Sequence, residues 1–255
     1  MSAPLLEVEG LSMRFGGLLA VDSVGFALQP REVFAIIGPN GAGKTTVFNC
    51  ISGFYPPSAG RIVLAGRSIA GMGSHNVARR GVVRTFQNVR LFKSMTALEN
   101  LLVAQHRQLR STFVAGLFNT AGYRRAEQAA VDNAMQWLDF MGLRAYANRA
   151  AGNLPYGHQR RLEIARCMIT RPQVLMLDEP AAGLNPQEKK DLQLLIDRLR
   201  RERGVAVLLI EHDMGLVMGV SERILVMEYG KPIATGTPEA IRNDERVIKA
   251  YLGEA

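Results

Sequence analysis

The chain has 255 residues and a mass of 28.0 kDa, long enough to bury a sizeable core, with 47% hydrophobic and 21% charged residues. That balance excludes the polar, highly charged class of chains that stay disordered, and no apolar run approaches the roughly 20 residues that a membrane-spanning helix needs. The 31 basic residues against 23 acidic ones leave a net charge of +8 and a pI near 9.9, a field that attracts nucleotides, anionic lipid or nucleic acid without choosing among them.

The opening Met1 to Glu9 lacks the basic start and long apolar stretch of a secretory peptide, so a cytoplasmic location is expected. Leu5 to Val8, Val24 to Leu28 and Ile62 to Leu64 read as short strands broken by glycines and a proline, which points to an antiparallel edge piece. Val33 to Ile37 is a cleaner apolar run of the kind that forms a buried strand. It leads directly into Gly38-Pro39-Asn40-Gly41-Ala42-Gly43-Lys44-Thr45-Thr46, which matches G-x-x-x-x-G-K-[ST] between a strand and a helix. Glycines there let backbone N–H groups turn inward as a nest, and the following helix adds its positive end, so a polyphosphate fits. Lys44 supplies a flexible positive charge for β- and γ-phosphates, and the Thr45 hydroxyl is a hard oxygen suited to Mg²⁺.

From about Asn88 onward strand signals vanish, and helical periodicity over Leu98 to Leu109 and Arg124 to Met141 predicts a helical lobe inserted into an α/β core. The expected division is a core of residues 1–87 and 170–255 with a helical part over 88–169, within one domain of 1–255. Val174 to Leu177 is a second buried strand, ending in Asp178-Glu179. Such a strand end can deliver Asp178 to a magnesium ion and Glu179, as general base, to an attacking water; paired acids at a strand end are as readily a solvated turn. Gln187 to Glu202 places Leu192, Leu195, Ile196 and Leu199 on one helical face, and Val205 to Ile210 follows as another strand. Strand, helix, strand implies a parallel sheet. Glu211-His212-Asp213 repeats the strand-end arrangement, where His212 could contact a γ-phosphate or serve only a structural purpose. Ile224 to Met227 is a further strand. His75, His106 and His158 are expected at the surface. Cys50 and Cys167, the two cysteines, have neither disulfide nor metal-ligand spacing and are expected reduced and packed. The arginines, among them Arg79, Arg80, Arg84, Arg160, Arg161 and Arg198, are scattered and expected on solvated faces; with one core, no heptad arm and two cysteines, no nucleic-acid partner is expected.

Taken together, these segments resemble the ATP-binding subunits of ABC transporters over essentially the whole chain. The resemblance rests on the phosphate loop Gly38 to Thr46, Thr85-Phe86-Gln87, Leu154-Pro155-Tyr156-Gly157-His158-Gln159, the acids Asp178 and Glu179, Ala182-Gly183-Leu184-Asn185, and His212, in the family's order. It implies a RecA-like α/β core with a mostly parallel sheet, an antiparallel β subdomain and an inserted helical subdomain. It implies ATP and Mg²⁺ as cofactors, Phe15 stacked on adenine with Val21 at its edge, and Gln87 near the metal and the attacking water. It further implies a head-to-tail pair of ATPase subunits in which Leu154 to His158 meets the partner's ATP. The usual Leu-Ser-Gly-Gly-Gln of that segment is altered, with Pro155 for Ser, Tyr156 for the first Gly and His158 for Gln. Loss of the serine hydroxyl removes a hydrogen bond to a charged oxygen, typically about 1.5 to 3 kcal/mol, while Gly157 N–H and a helix expected from about His158 still face the phosphate.

Within the family, Arg160-Arg-Leu-Glu-Ile-Ala-Arg166, Asp178 to Pro186 and Tyr251-Leu-Gly-Glu-Ala255 make the chain most similar to the larger ATPase subunit of branched-chain amino acid importers. The partners so implied are a second ATPase, two permeases and a periplasmic substrate-binding protein, at the cytoplasmic face of the membrane. The alternatives are another ABC transporter ATPase, such as that of lipopolysaccharide export, or an ABC ATPase acting on nucleic acid. Thr112 to Leu117 with Phe118 is an apolar stretch that either packs internally or presents Phe113 and Phe118 to the permease or bilayer surface.

Overall fold

The computed structural model describes residues 3–105 and 121–252. His106 and the stretch around Phe113 and Phe118 lie outside the described residues. The chain divides into two compact units, residues 1–87 with 173–255, and residues 88–172.

The first unit contains two sheets. Strands β1 (Leu6–Phe15), β2 (Leu18–Leu28), β4 (Ala59–Leu64) and β5 (Arg67–Ser68) form an antiparallel sheet in the order β2-β1-β4-β5. These strands are longer than their glycines suggested. Gly10 does not end β1; it sits at φ +57° where the pairing with β4 shifts register between Glu9 and Ser12, so the chain absorbs it as a bulge and continues. Opposite, a side chain on Gly60 would meet the Gly10 carbonyl at 2.5 Å. Gly60 is required by the close approach of the two backbones, and Gly10 by its left-handed conformation.

The second sheet has six strands in the order β10-β9-β3-β8-β7-β6: β3 (Val33–Ile37), β6 (Val82–Arg84), β7 (Val174–Asp178), β8 (Ala206–Ile210), β9 (Arg223–Glu228) and β10 (Lys231–Gly236). All neighbours are parallel except β9 and β10. β3, β7 and β8 are buried at every position, as strands covered on both faces must be. The mostly parallel α/β core and antiparallel piece expected from the sequence are both present. One apolar core joins the sheets, with Phe26 stacked on Phe34 at 5.0 Å and the helix α1 (Lys44–Ile51) contributing Val47, Phe48, Cys50 and Ile51. Burial pushes the Cys50 thiol up to about 11, which keeps it protonated and inert. Helix α6 (Pro186–Arg203) buries Leu192, Leu195, Ile196 and Leu199, the stripe expected. Its start is fixed by a capping box in which the Asn185 side chain accepts from Glu188 N–H and Glu188 accepts from Asn185 N–H.

The second unit is helical: α3 (Ala97–Gln105), α4 (Ala121–Phe140) and α5 (Tyr156–Met168). No helix among the described residues is long and apolar enough to cross a membrane.

Candidate nucleotide-binding site

The phosphate loop runs from the end of β3 into α1. Gly38 has φ +147°, and a Cβ there would lie 2.0 Å from the Met227 carbonyl; Gly43, at φ +91°, has the Ala20 carbonyl 2.7 Å from any added Cβ. Both positions exclude side chains, so the loop's shape is written into the sequence. Gly43 is also the N-cap of α1 and offers no side-chain acceptor, and no acidic residue occupies the first turn. The helix start therefore keeps its N–H groups and positive dipole end for a ligand.

Lys44 is buried, and its ammonium donates to the carbonyls of Gly38 at 2.7 Å and Pro39 at 2.8 Å. Burial lowers its pKa, against the opposing pull of the Glu179 and Asp178 carboxylates. An anion received by the loop would favour the charged amine. A cavity of about 400 Å³ opens here, lined by Asn40, Gly41, Ala42, Gly43, Lys44, Thr45 and Thr46 together with Glu179 and, on its other wall, Leu18 and Tyr229. Thr45 is exposed to it. A larger apolar groove of about 720 Å³, lined by Met214, Met218, Ile241 and Tyr251, contains none of these groups.

Asp178 ends β7 and is buried. Its Oδ2 accepts from the Arg84 guanidinium at 2.6 Å, and its N–H lies 3.4 Å from the Thr85 hydroxyl. Arg84, expected on a solvated face, is instead 6% exposed, also donates to Asn49 Oδ1 at 2.7 Å and the Ser52 hydroxyl at 3.2 Å, and is faced by the rings of Phe48, Phe54 and Phe86 at 5.4, 6.0 and 5.5 Å. A short aromatic cluster stands where solvent was expected, and guanidinium stacks on such faces.

Glu179 has φ +46°, a left-handed conformation that costs a non-glycine residue roughly 1 to 3 kcal/mol unless its surroundings hold it. Its N–H donates to the Ile210 carbonyl at 2.9 Å, and its carbonyl accepts from Ala182 N–H at 3.2 Å. Its carboxylate accepts from the Gln87 amide at 2.9 Å. Asp178 and Ile210 pair across β7 and β8, which brings the segment carrying His212 beside the acids. The His212 side chain is 64% exposed.

Two adenine-side assignments sit differently. Phe15, 41% exposed, packs edge-on against Tyr55 at 5.3 Å, while Val21 is fully buried beneath Gly43. Leu18 and Tyr229 line the cavity and were not singled out in the sequence. Leu18 opens β2 and Tyr229 lies in the turn after β9, and an exposed large side chain at either place cannot be separated by composition alone from ordinary surface.

In the helical unit, Pro155 is the N-cap of α5, so the helix begins at Tyr156, two residues earlier than expected, and Gly157 falls in its first turn. Leu154 is buried and Tyr156 is exposed. His158 is not a surface residue: it is half-buried, with its ring 4.8 Å from that of Tyr146. Arg160, also expected outside, is fully buried and paired with Glu163 at 2.8 Å. Cys167 lies on the same helix, and burial raises its thiol to about 12.

Residues 21–182 match the family model for ABC transporters. The chain belongs to the ABC transporter family. This cassette's residues 231–255 also match the model for branched-chain amino acid ATP-binding cassette transporters. It is 63% identical over 255 residues, 100% of both chains, to the high-affinity branched-chain amino acid transport ATP-binding protein BraF of Pseudomonas aeruginosa. It is 60% identical over the same full span to LivG of Escherichia coli, which carries the same description. Among solved structures, the ADP conformation of MJ1267, an ATP-binding cassette of an ABC transporter, superposes with a TM-score of 0.86 at 32% identity, covering 99% of this chain and 100% of that one. The cassette therefore has the ABC ATPase fold expected of it, and a nucleotide is the ligand to which its phosphate loop is suited.

Proposed function

We propose that this cassette binds and hydrolyses ATP to drive the import of branched-chain amino acids through an ABC transporter. The observation that carries the ATPase reading is the convergence of Lys44, Thr45 and Glu179 on one cavity at the sheet edge, with Asp178 at the end of the same strand. The solute reading is supported by the full-length identity to BraF and LivG and by the model matched at residues 231–255; the lipopolysaccharide-export ATP-binding protein LptB of Haemophilus influenzae is 34% identical over 250 residues, well below the 63% and 60% of those two.

In this reading the triphosphate displaces Lys44 from the Gly38 and Pro39 carbonyls, and Gly41 and Gly43 to Thr46 present N–H groups to its oxygens. The Thr45 hydroxyl and Asp178 carboxylate suit Mg²⁺, which prefers a few hard protein oxygens beside phosphates and water. Bound there, the ion would neutralise charge on the β- and γ-phosphates. Glu179 takes a proton from the attacking water, for which Gln87 must give up its hydrogen bond to that carboxylate. With the ion bound, Gln87 would be placed to assist at the metal and the water, and His212 would face the γ-phosphate. Phe15 stacks on adenine after turning from Tyr55. The segment Leu154, Pro155, Tyr156, Gly157 and His158 serves the ATP of a second ATPase subunit, head to tail. That pair works with two permeases and, indirectly, a periplasmic binding protein, at the cytoplasmic face of the membrane.

The decisive experiment uses Glu179→Gln and Lys44→Ala in the chain co-purified with its permeases. Glu179→Gln is expected to retain ATP binding while kcat falls about 10²- to 10⁴-fold, and Lys44→Ala to lose both. Turnover of Glu179→Gln at the parent rate would refute the assigned base. Stimulation of the parent's hydrolysis by leucine, isoleucine or valine with the binding protein tests the solute.

A further inference from the structure

Glu211 follows β8, whose five residues are all buried apolar groups, and it is itself buried with a side-chain exposure of 0%. A carboxylate where a buried strand would continue breaks the local pattern, and such breaks concentrate where function demands them. Its oxygens are used on two different segments. Oε1 accepts the N–H of Ala181 at 2.7 Å, and Oε2 accepts the N–H groups of His212 at 3.0 Å and Asp213 at 3.2 Å.

Ala181 lies two residues beyond Glu179, the residue at φ +46°. The strained residue is thereby tied on both sides to one short stretch: its own N–H goes to the Ile210 carbonyl, and the N–H of Ala181 goes to the Glu211 side chain. The same side chain fixes the backbone at His212. We propose that Glu211 is a positioning residue, a buried carboxylate that clamps the turn carrying Glu179 to the turn carrying His212 so that both face one phosphate in register. The inference rests on the assignment of Glu179 as base, but it fails separately from it: Glu179→Gln tests the base, and Glu211 variants test the clamp.

Glutamine at 211 preserves shape while turning one acceptor into an N–H donor, so either Ala181 or the His212–Asp213 pair loses its partner. In the full-length chain assembled with its permeases, Glu211→Gln is expected to lower kcat by about tenfold or more. The phosphate loop is untouched, so the KM for ATP and the affinity for a non-hydrolysable analogue should stay within about twofold. Glu211→Asp, which keeps the charge and both acceptors, should turn over faster than Glu211→Gln. Parent-like kcat in Glu211→Gln overturns the proposal, as does a fall of kcat and analogue affinity in parallel, or an Asp variant no better than the Gln variant. Should Glu211→Gln not fold, amide hydrogen exchange on the parent decides. Slow exchange at Ala181, His212 and Asp213 with a shared opening rate supports the clamp, and exchange at unrelated rates removes it.

Discussion

Arg84–Asp178 and Arg160–Glu163 are both buried arginine–carboxylate pairs, one in each compact unit, at 2.6 and 2.8 Å. In the first, the carboxylate ends a strand at the edge of the nucleotide cavity, and the guanidinium is fixed by Asn49, Ser52 and three aromatic rings. In the second, both partners lie within α5, three residues apart, and Glu163 also accepts the N–H of Arg90 at 3.0 Å. The same ion pair thus serves two ends. Near the cavity it aims a carboxylate, whereas in the helical unit it joins a helix to a loop. Burial alone does not distinguish them; the place of each carboxylate in the fold does.

The sharpest way to break this contrast is Arg84→Met. Removing one member of a buried pair strands the other charge and costs about 3 to 5 kcal/mol. Here turnover should also fall by about tenfold or more, because Asp178 loses the contact that orients it. Urea unfolding and steady-state ATPase assays report the two effects separately. A variant that loses stability yet keeps its kcat would make Arg84 merely structural, like its counterpart in α5.

Arg160→Met should be as destabilising, again about 3 to 5 kcal/mol, but the affinity of the chain for an ATP analogue should not change. The double variant Arg160→Met/Glu163→Gln should recover most of the loss, since no uncompensated charge remains and the amide oxygen can still accept the Arg90 N–H. Denaturant midpoints of the single and double variants check this. If the double variant is no more stable than the single one, the pair is held by more than its charge.

Neither arginine was legible in the sequence, and the reason is physical. A scattered arginine reads as solvated because its burial is decided by the tertiary fold: Asp178 lies 94 positions from Arg84, and Arg160, though only three residues from Glu163, is buried by the packing around its helix. Glu211 was not singled out for a similar reason, since its Ala181 contact spans 30 positions. Features set by local chemistry were readable. The phosphate loop, the strand ending in Asp178 and Glu179, and the apolar stripe of α6 follow from residue type and spacing alone. The continuation of β1 through Gly10 was not, because a bulge is defined by the register of the strands on either side.

The smallest effect belongs to a third pair that tests the role of burial itself. Lys189 on α6 donates to Asp213 Oδ2 at 2.5 Å, but their side chains are 37% and 24% exposed. The Lys189 hydrogen bond, then the Leu216 N–H, lowers the Asp213 pKa; Asp213 in turn raises that of Lys189. A depressed carboxylate stabilises the fold above its unfolded value, near 3.9, and that contribution disappears as pH falls through the lower folded value. The raised lysine contributes below its unfolded value, near 10.4, and loses its share as pH rises through the folded one. Lys189→Met should therefore be slightly less stable than the parent at pH 7, and the difference should shrink on acidification as Asp213 takes up its proton. Added salt should shrink it as well, because solvent and ions reach this pair. Unfolding curves at pH 7 and in acid, with and without salt, measure all three changes. A deficit as large as that of Arg160→Met, or one that persists in acid, would mean that exposure is not what separates this contact from the two buried ones.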